Sequence, residues 1–210
     1  LSALVESALP SGRSQLYTLL EHIATSSADG KTIHSSSDIR RIAERWLRLY
    51  LERSLLPIMR AGERLGIHFE AHLQNTLVTL ENGWPQHFII RDLEGVSVER
   101  RTNVRQNGDD ILFYTEEAAR ARTAYYFIVN HLGSLLHVLA RDTDCTEEHY
   151  WQIATAMLED ELKHQDHEWI RHMLSADHFQ AKQNLRSCLH GHGDTPHYVH
   201  VRNMLKQTGE

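Results

Sequence analysis

Apolar positions in the first sixty residues recur at helical spacing. Leu16, Leu19, Leu20 and Ile23 predict a helix over 13–24. The polar stretch from Thr25 to Thr32, followed by Ser35–Asp38, predicts a loop that ends in a helix cap at Ser37 or Asp38. Ile39, Ile42, Trp46, Leu49 and Tyr50 then form the apolar stripe of a long helix. Pro57 lacks an N–H and its ring crowds the preceding turn, which predicts a kink or break near Leu56. Between 76 and 92 the period changes. Thr76–Leu80 and His87–Arg91 are rich in β-branched and large apolar residues, and Asn82-Gly83 between them signals a hairpin. Pro85 cannot donate to a ladder, so the loop is expected to exceed two residues. Helical spacing returns with Ala118, Ala121, Tyr125, Ile128, Val129, Leu132, Leu135 and Leu139, predicting a helix over 116–140. Further helices are expected from Thr146 to Leu162 and over 164–174. Trp46, Trp151, Trp169 and Tyr125–Phe127 fall on apolar faces and are expected in the core. The tail from Asn184 is polar and His-rich, and Gly191, Gly193 and Pro196 predict no regular element there. The fold class is α+β: a small antiparallel β-hairpin (about 76–92) set among helices, with a mainly α-helical C-terminal part.

Composition narrows the functional classes. The 210 residues are 41% hydrophobic and carry a formal net charge of −6. Basic side chains alternate with acids along the helices, the pattern of a solvated face, so no nucleic-acid footprint is present. Two scattered cysteines, Cys145 and Cys188, make no disulfide framework and fit a reducing, cytoplasmic setting. No apolar run is long enough to span a bilayer. Residues 1–6 contain no basic cluster, so a secretory leader is not expected. The chain starts at Leu1 rather than Met, and a piece of a longer protein is expected.

Polar residues gather at both feet of the hairpin: His68, Glu70, His72, Gln74 and Asn75 before the first strand, and Arg91, Asp92 and Glu94 after the second. Asn75 lies seven residues before Asn82, and Asp92 seven after Pro85. That symmetry places Asn75 and Asp92 opposite each other, about 5 Å apart at Cα. An amide oxygen beside a carboxylate is a hard donor pair that suits Mg²⁺ completed by substrate phosphates. His72 beside it could donate to a phosphate or carboxylate oxygen, or act as a base when an amine attacks. Gln74 is suited to fixing orientation. The same residues could instead only cap the hairpin ends, with Glu94-Gly95 making a turn.

Glu70-Ala-His-Leu-Gln-Asn75 followed by Arg91-Asp-Leu-Glu-Gly95 resembles the signature of IucA/IucC-type synthetases, which make siderophores without non-ribosomal peptide machinery. The resemblance implies ATP-dependent adenylation of a carboxylate of citrate or a related dicarboxylic acid. Attack by an amine or hydroxylamine then gives an amide. It implies that His72 contacts the phosphates and the substrate carboxylate. Asn75 and Asp92 would lie at the Mg²⁺-triphosphate, with Glu70 and Gln74 in support. It also implies residues 1–115 as part of a palm-like nucleotide-binding region and 116–210 as a helical thumb-like region. Family members often dimerise. They are far longer than this chain, and their N-terminal half supplies basic and hydroxyl residues that grip the triphosphate. This piece is therefore expected to hold half a site and to be inactive alone.

Two other readings compete with this one. C-terminal regions of this family are linked by sequence to FhuF-like ferric-siderophore reductases, whose [2Fe–2S] centre takes about four thiolates, or two with two histidines. Cys145 and Cys188 are the two cysteines here and stand 43 residues apart, which disfavours that reading. A non-catalytic metal-binding or interaction module would use some of the 16 histidines. Glu161-x-x-His164 has the spacing of di-iron bundles, but no second such motif is present. His190, His192, His197 and His200 in the tail lack cysteines beside them. Arg100, Arg101 and Arg105 read as a solvated loop.

Overall fold

The structure is a computed structural model and describes residues 1–6, 12–26, 36–100, 113–182 and 198–206. Its helices are α1 (Ser2–Val5), α2 (Gln15–Ser26), α3 (Ser36–Arg53), α4 (Leu55–Leu65), α5 (Glu116–Thr123), α6 (Gly133–Asp142), α7 (Glu147–His164) and α8 (Glu168–Ser175). A π-helical segment, Ala124–Leu132, joins α5 to α6. The strands are β1 (Ile67–His68), β2 (Thr76–Glu81), β3 (Trp84–Ile90), β4 (Ser97–Glu99), β5 (Phe113–Tyr114), β6 (His178–Lys182) and β7 (Tyr198–Arg202). They form three small sheets: β1-β4-β5, the β2-β3 hairpin and the β6-β7 pair. The expected α+β class holds. The expectation of a single sheet does not, since β4 and β5 pair in parallel and β6 and β7 pair antiparallel. Short strands such as β1 and β5 carry no period a sequence reader can count.

Helix ends follow local chemistry. Thr146 caps α7 by accepting from the His149 N–H at 3.2 Å, and Thr115 caps α5 through the Ala118 N–H. Gly66 closes α4 in the left-handed conformation, φ 65° and ψ 26°. The break before α4 falls at Ser54, not Leu56. Ser54 gives its hydroxyl to the Tyr50 carbonyl at 2.7 Å, and Pro57 then occupies the first turn of α4. A missing N–H costs little there, because first-turn donors have no helical acceptor.

The hairpin also differs in detail. Its turn is the two-residue Asn82-Gly83, with φ of 51° and 85°, and Pro85 sits within β3 opposite Leu80. A register shift between Thr79 and Leu80 absorbs the proline, and β3 has no second neighbour among the described strands that would need its N–H. β3 packs on α3 through Tyr50, which lies edge-on to Phe88 at 5.8 Å. The common core joins Leu16 and Leu20 of α2, Trp46 and Tyr50 of α3, Phe127, Leu135 and Leu136 of the π–α6 rod, and Tyr150 and Ile153 of α7. Trp46, Trp151 and Trp169 are all buried, as expected. The tail histidines 190, 192 and 197 lie outside the described residues. His200 is in β7.

Candidate active site

The segment Gly66–Asn75 runs from the end of α4 across the molecule to the foot of β2. It is pinned from beneath by a buried polar chain. His131, fully buried on the π segment, meets the Ala71 carbonyl through Nδ1 at 2.7 Å and the Tyr50 hydroxyl through Nε2 at 2.5 Å. A carbonyl can only accept, so Nδ1 carries the proton and Nε2 accepts from Tyr50. Burial pushes the His131 pKa down to about 4 and the Tyr50 hydroxyl well up. Both therefore stay neutral and hold the backbone between Glu70 and His72. The His72 carbonyl in turn accepts from the Asn75 N–H at 3.0 Å and the Thr76 hydroxyl at 3.1 Å, which starts β2.

The two halves of the motif meet. The Arg91 N–H donates to the Asn75 carbonyl at 2.7 Å, and the Arg91 guanidinium to the Gln74 carbonyl at 2.9 Å. The register Thr76↔Ile90 extends to Asn75 opposite Arg91, which sets Asp92 beside Gln74. The expected Asn75–Asp92 pairing is thus displaced by one residue: the two-residue turn at Asn82-Gly83 is tighter than the expected loop, and the shift between Thr79 and Leu80 makes up only part of the difference. Asp92 stands at the outer foot of β3 with φ 55° and ψ 75°, exposed. Gly95 packs on Glu70: a Cβ there would lie 2.8 Å from Glu70 Oε2 and 2.9 Å from its Cγ.

Three side chains outside the two motif segments complete the cluster: Arg122, Lys182 and Tyr126, the last only half-buried rather than in the core as expected. Arg122 of α5 is ion-paired with Glu70. Its guanidinium carbon lies 5.9 Å from the ring centroid of Tyr126 and 4.9 Å from that of Tyr114. Lys182, at the end of β6, donates to the Tyr126 hydroxyl at 2.7 Å. Tyr126 faces His72, with ring centroids 5.8 Å apart. Burial first, then the Glu70 carboxylate, raises the Tyr126 pKa, so its hydroxyl stays protonated. Burial, with Arg122 second, lowers that of Lys182. No local spacing could have flagged these residues, which lie about 50 and 110 positions from Glu70. Gln74 is exposed and Asn75 half-buried, its amide 3.5 Å from the Glu70 carbonyl. Asn75 and Asp92 offer the hard oxygen donors that Mg²⁺ takes.

Other candidates separate from this cluster. His68 is buried, with Nε2 2.8 Å from Glu99. Glu94 and Arg100 are exposed, and Arg101 and Arg105 lie outside the described residues. His164 is exposed and turned to Asp160, while Glu161 is held by Arg60 through two bonds of 2.7 Å. Among the described residues no group of three or more His, Cys, Asp or Glu could hold a metal ion. No helix among them is long and apolar enough to cross a membrane.

Comparison with known proteins gives the chain's relatives. The family model described as ferric iron reductase FhuF-like transporter matches residues 44–196. The L-2,3-diaminopropanoate–citrate ligase of Staphylococcus aureus is 33% identical over 77% of this chain and 30% of its own length. The spermidine-citrate ligase of Bacillus anthracis is 25% identical over 88% of this chain and 31% of its own. The ATP-bound aerobactin synthetase IucA of Klebsiella pneumoniae superposes with a TM-score of 0.82 at 21% identity, over 99% of this chain and 36% of that one. This chain thus spans about a third of the length of each. The FhuF-like description names a reductase, whereas Cys145 and Cys188 are this chain's two cysteines, half the thiolates that a four-cysteine cluster takes. Cys188 lies outside the described residues. Over residues 44–196 the chain belongs to the family so described, and its relatives and solved neighbours identify it as IucA/IucC-type synthetase-like.

Proposed function

We propose that this chain contributes part of the active site of an ATP-dependent carboxylate–amine ligase. The enzyme adenylates a carboxylate of citrate or a related dicarboxylic acid and passes the acyl group to an amine or hydroxylamine in the cytoplasm. The observation that carries the reading is the meeting of the two motif segments, with Gly95 packed on Glu70 and Arg91 bonded to Gln74 and Asn75. A hairpin that merely needed capped ends has no use for the cationic wall of Arg122 and Lys182 beside it.

Each residue has a role in this reading. Arg122 and Lys182 give the positive potential that a polycarboxylate and a nucleotide require. Glu70 orients Arg122 and is itself kept in place by Gly95. His72, half-buried beside Tyr126, donates to a phosphate or carboxylate oxygen, and Gln74 supports the nucleotide. Asn75 and Asp92 would hold Mg²⁺, whose charge neutralises the triphosphate when bound. Residues 1–115 then belong to the nucleotide-binding region and 116–210 to a helical region that closes over it. The rest of a full-length parent completes the grip on the triphosphate, so turnover by this chain alone is not expected.

The test is citrate-dependent ATP–pyrophosphate exchange by the full-length parent, comparing wild type with His72→Ala and Asp92→Asn. Exchange should fall at least about a hundredfold in both variants with circular dichroism unchanged. Exchange that survives both substitutions would show the hairpin to be structural.

A further inference from the structure

His68 lies outside the cluster around Glu70, yet it is 1% exposed and held from two sides. It ends β1, two residues before Glu70. Its Nε2 stands 2.8 Å from the Glu99 carboxylate of β4, and its Nδ1 meets the Thr123 hydroxyl of α5 at 3.3 Å. A carboxylate oxygen accepts, so Nε2 carries a proton. Glu99 and Thr123 are buried as well. Trp169 covers the imidazole edge-on, with ring centroids 4.9 Å apart. Glu99 ties the strands and α5 together. Its N–H donates to the Gly66 carbonyl at 2.8 Å, and Arg120 Nε lies 3.8 Å from its carboxylate.

Neighbouring residues of α5 thus reach residues two apart in the Gly66–Asn75 segment. Arg122 is ion-paired with Glu70, and Thr123 meets His68. Successive side chains of a helix point about 100° apart. Two such contacts, with Arg120 at Glu99 as a third, fix both the rotation of α5 and its place along its own axis. Aliphatic side chains could fill the same space without stripping water from a carboxylate, and their attraction has no direction. Hydrogen bonds have one. A displacement of about 1 Å in a group that binds a reactant is enough to slow a reaction by about a hundredfold.

We propose that His68, Glu99 and Thr123 are positioning residues of the ligase. They touch no substrate and act through α5, holding Arg122 against Glu70 so that its guanidinium is placed for the incoming carboxylate. The proposal rests on the ligase reading above.

The experiment uses the full-length parent with Thr123→Val, which keeps the side-chain shape and removes the hydroxyl, and Thr123→Ser, which restores it. KM for citrate is read from citrate-dependent ATP–pyrophosphate exchange, and the melting temperature from circular dichroism. A role in folding alone would lower the melting temperature and the active fraction, and so kcat, and would leave KM unchanged. The expected result is a KM for citrate raised roughly tenfold or more in Thr123→Val and within about twofold of wild type in Thr123→Ser. Glu99→Gln, which keeps an acceptor for His68 and weakens the hold on Arg120, is the second variant and should raise the same KM at least about threefold. If Thr123→Val does not fold, Glu99→Gln decides. An unchanged KM for citrate in the folded variants would overturn the proposal, as would an equal rise in Thr123→Val and Thr123→Ser. Absence of citrate-dependent exchange in wild type would instead remove the ligase reading on which the proposal stands.

Discussion

His131 gives the most direct residue-scale prediction. Its pKa is lowered by burial from an ordinary 6.5 to about 4. In the unfolded chain the imidazole binds a proton below about pH 6.5, while the folded chain holds it neutral. The unfolded state therefore takes up more protons between those values, and stability falls as pH drops from about 6.5 towards 4. Between pH 7 and pH 5 this one group should cost about 2 kcal/mol. Urea denaturation at the two pH values should show a steeper loss for wild type than for His131→Gln, which has nothing to titrate. The same variant should be less stable at pH 7, because the Ala71 carbonyl and the Tyr50 hydroxyl lose their partner.

Gly95 is a second single-residue lever. An added methyl would press on the carboxylate end of Glu70 without any backbone penalty, since Gly95 is not at positive φ. Glu70 can swing away, so Gly95→Ala should barely alter the melting temperature of the parent enzyme. The Arg122 pairing should suffer instead, slowing pyrophosphate exchange roughly ten- to a hundredfold. Unchanged exchange would mean that Gly95 serves only the turn.

Among the elements, α4 and α8 cross closely at Gly62. A Cβ on Gly62 would stand 2.3 Å from Trp169 Cζ3 and 2.9 Å from His68 Cε1. Alanine is the better helix former by about 1 kcal/mol. Overpacking against a buried indole costs about 1–3 kcal/mol and should win. Gly62→Ala is thus expected to lower stability in chemical denaturation, against the helix-propensity trend. The long rod from Glu116 to Asp142 illustrates a different point. The pattern of apolar residues predicts one helix over 116–140, and the chain is indeed helical throughout. Its middle, Ala124–Leu132, is π-helical and carries both Tyr126 and His131. A change of pitch leaves the apolar period nearly intact, so hydrophobic spacing does not report it.

For the whole molecule, the amino-acid pattern alone determined a good deal. Helical periodicity, capping residues and Asn82-Gly83 specify the helices and the hairpin, because these features depend on neighbours a few residues apart. The paired segments Glu70–Asn75 and Arg91–Gly95 identified the family for the same reason: each is a short contiguous string. Tertiary structure decided what depends on distant partners. The two-residue turn and the shift between Thr79 and Leu80 set Asn75 opposite Arg91, and a one-residue shift is set by strand pairing and packing on α3 rather than by spacing. The pairing of Phe179 with Val201 and its burial under the π segment made a strand out of a polar tail. Only the fold brings Arg122, Tyr126 and Lys182 to Glu70 and His72. Charge and hydrogen-bond complementarity act over a few ångströms, and chain separation contains no measure of that distance.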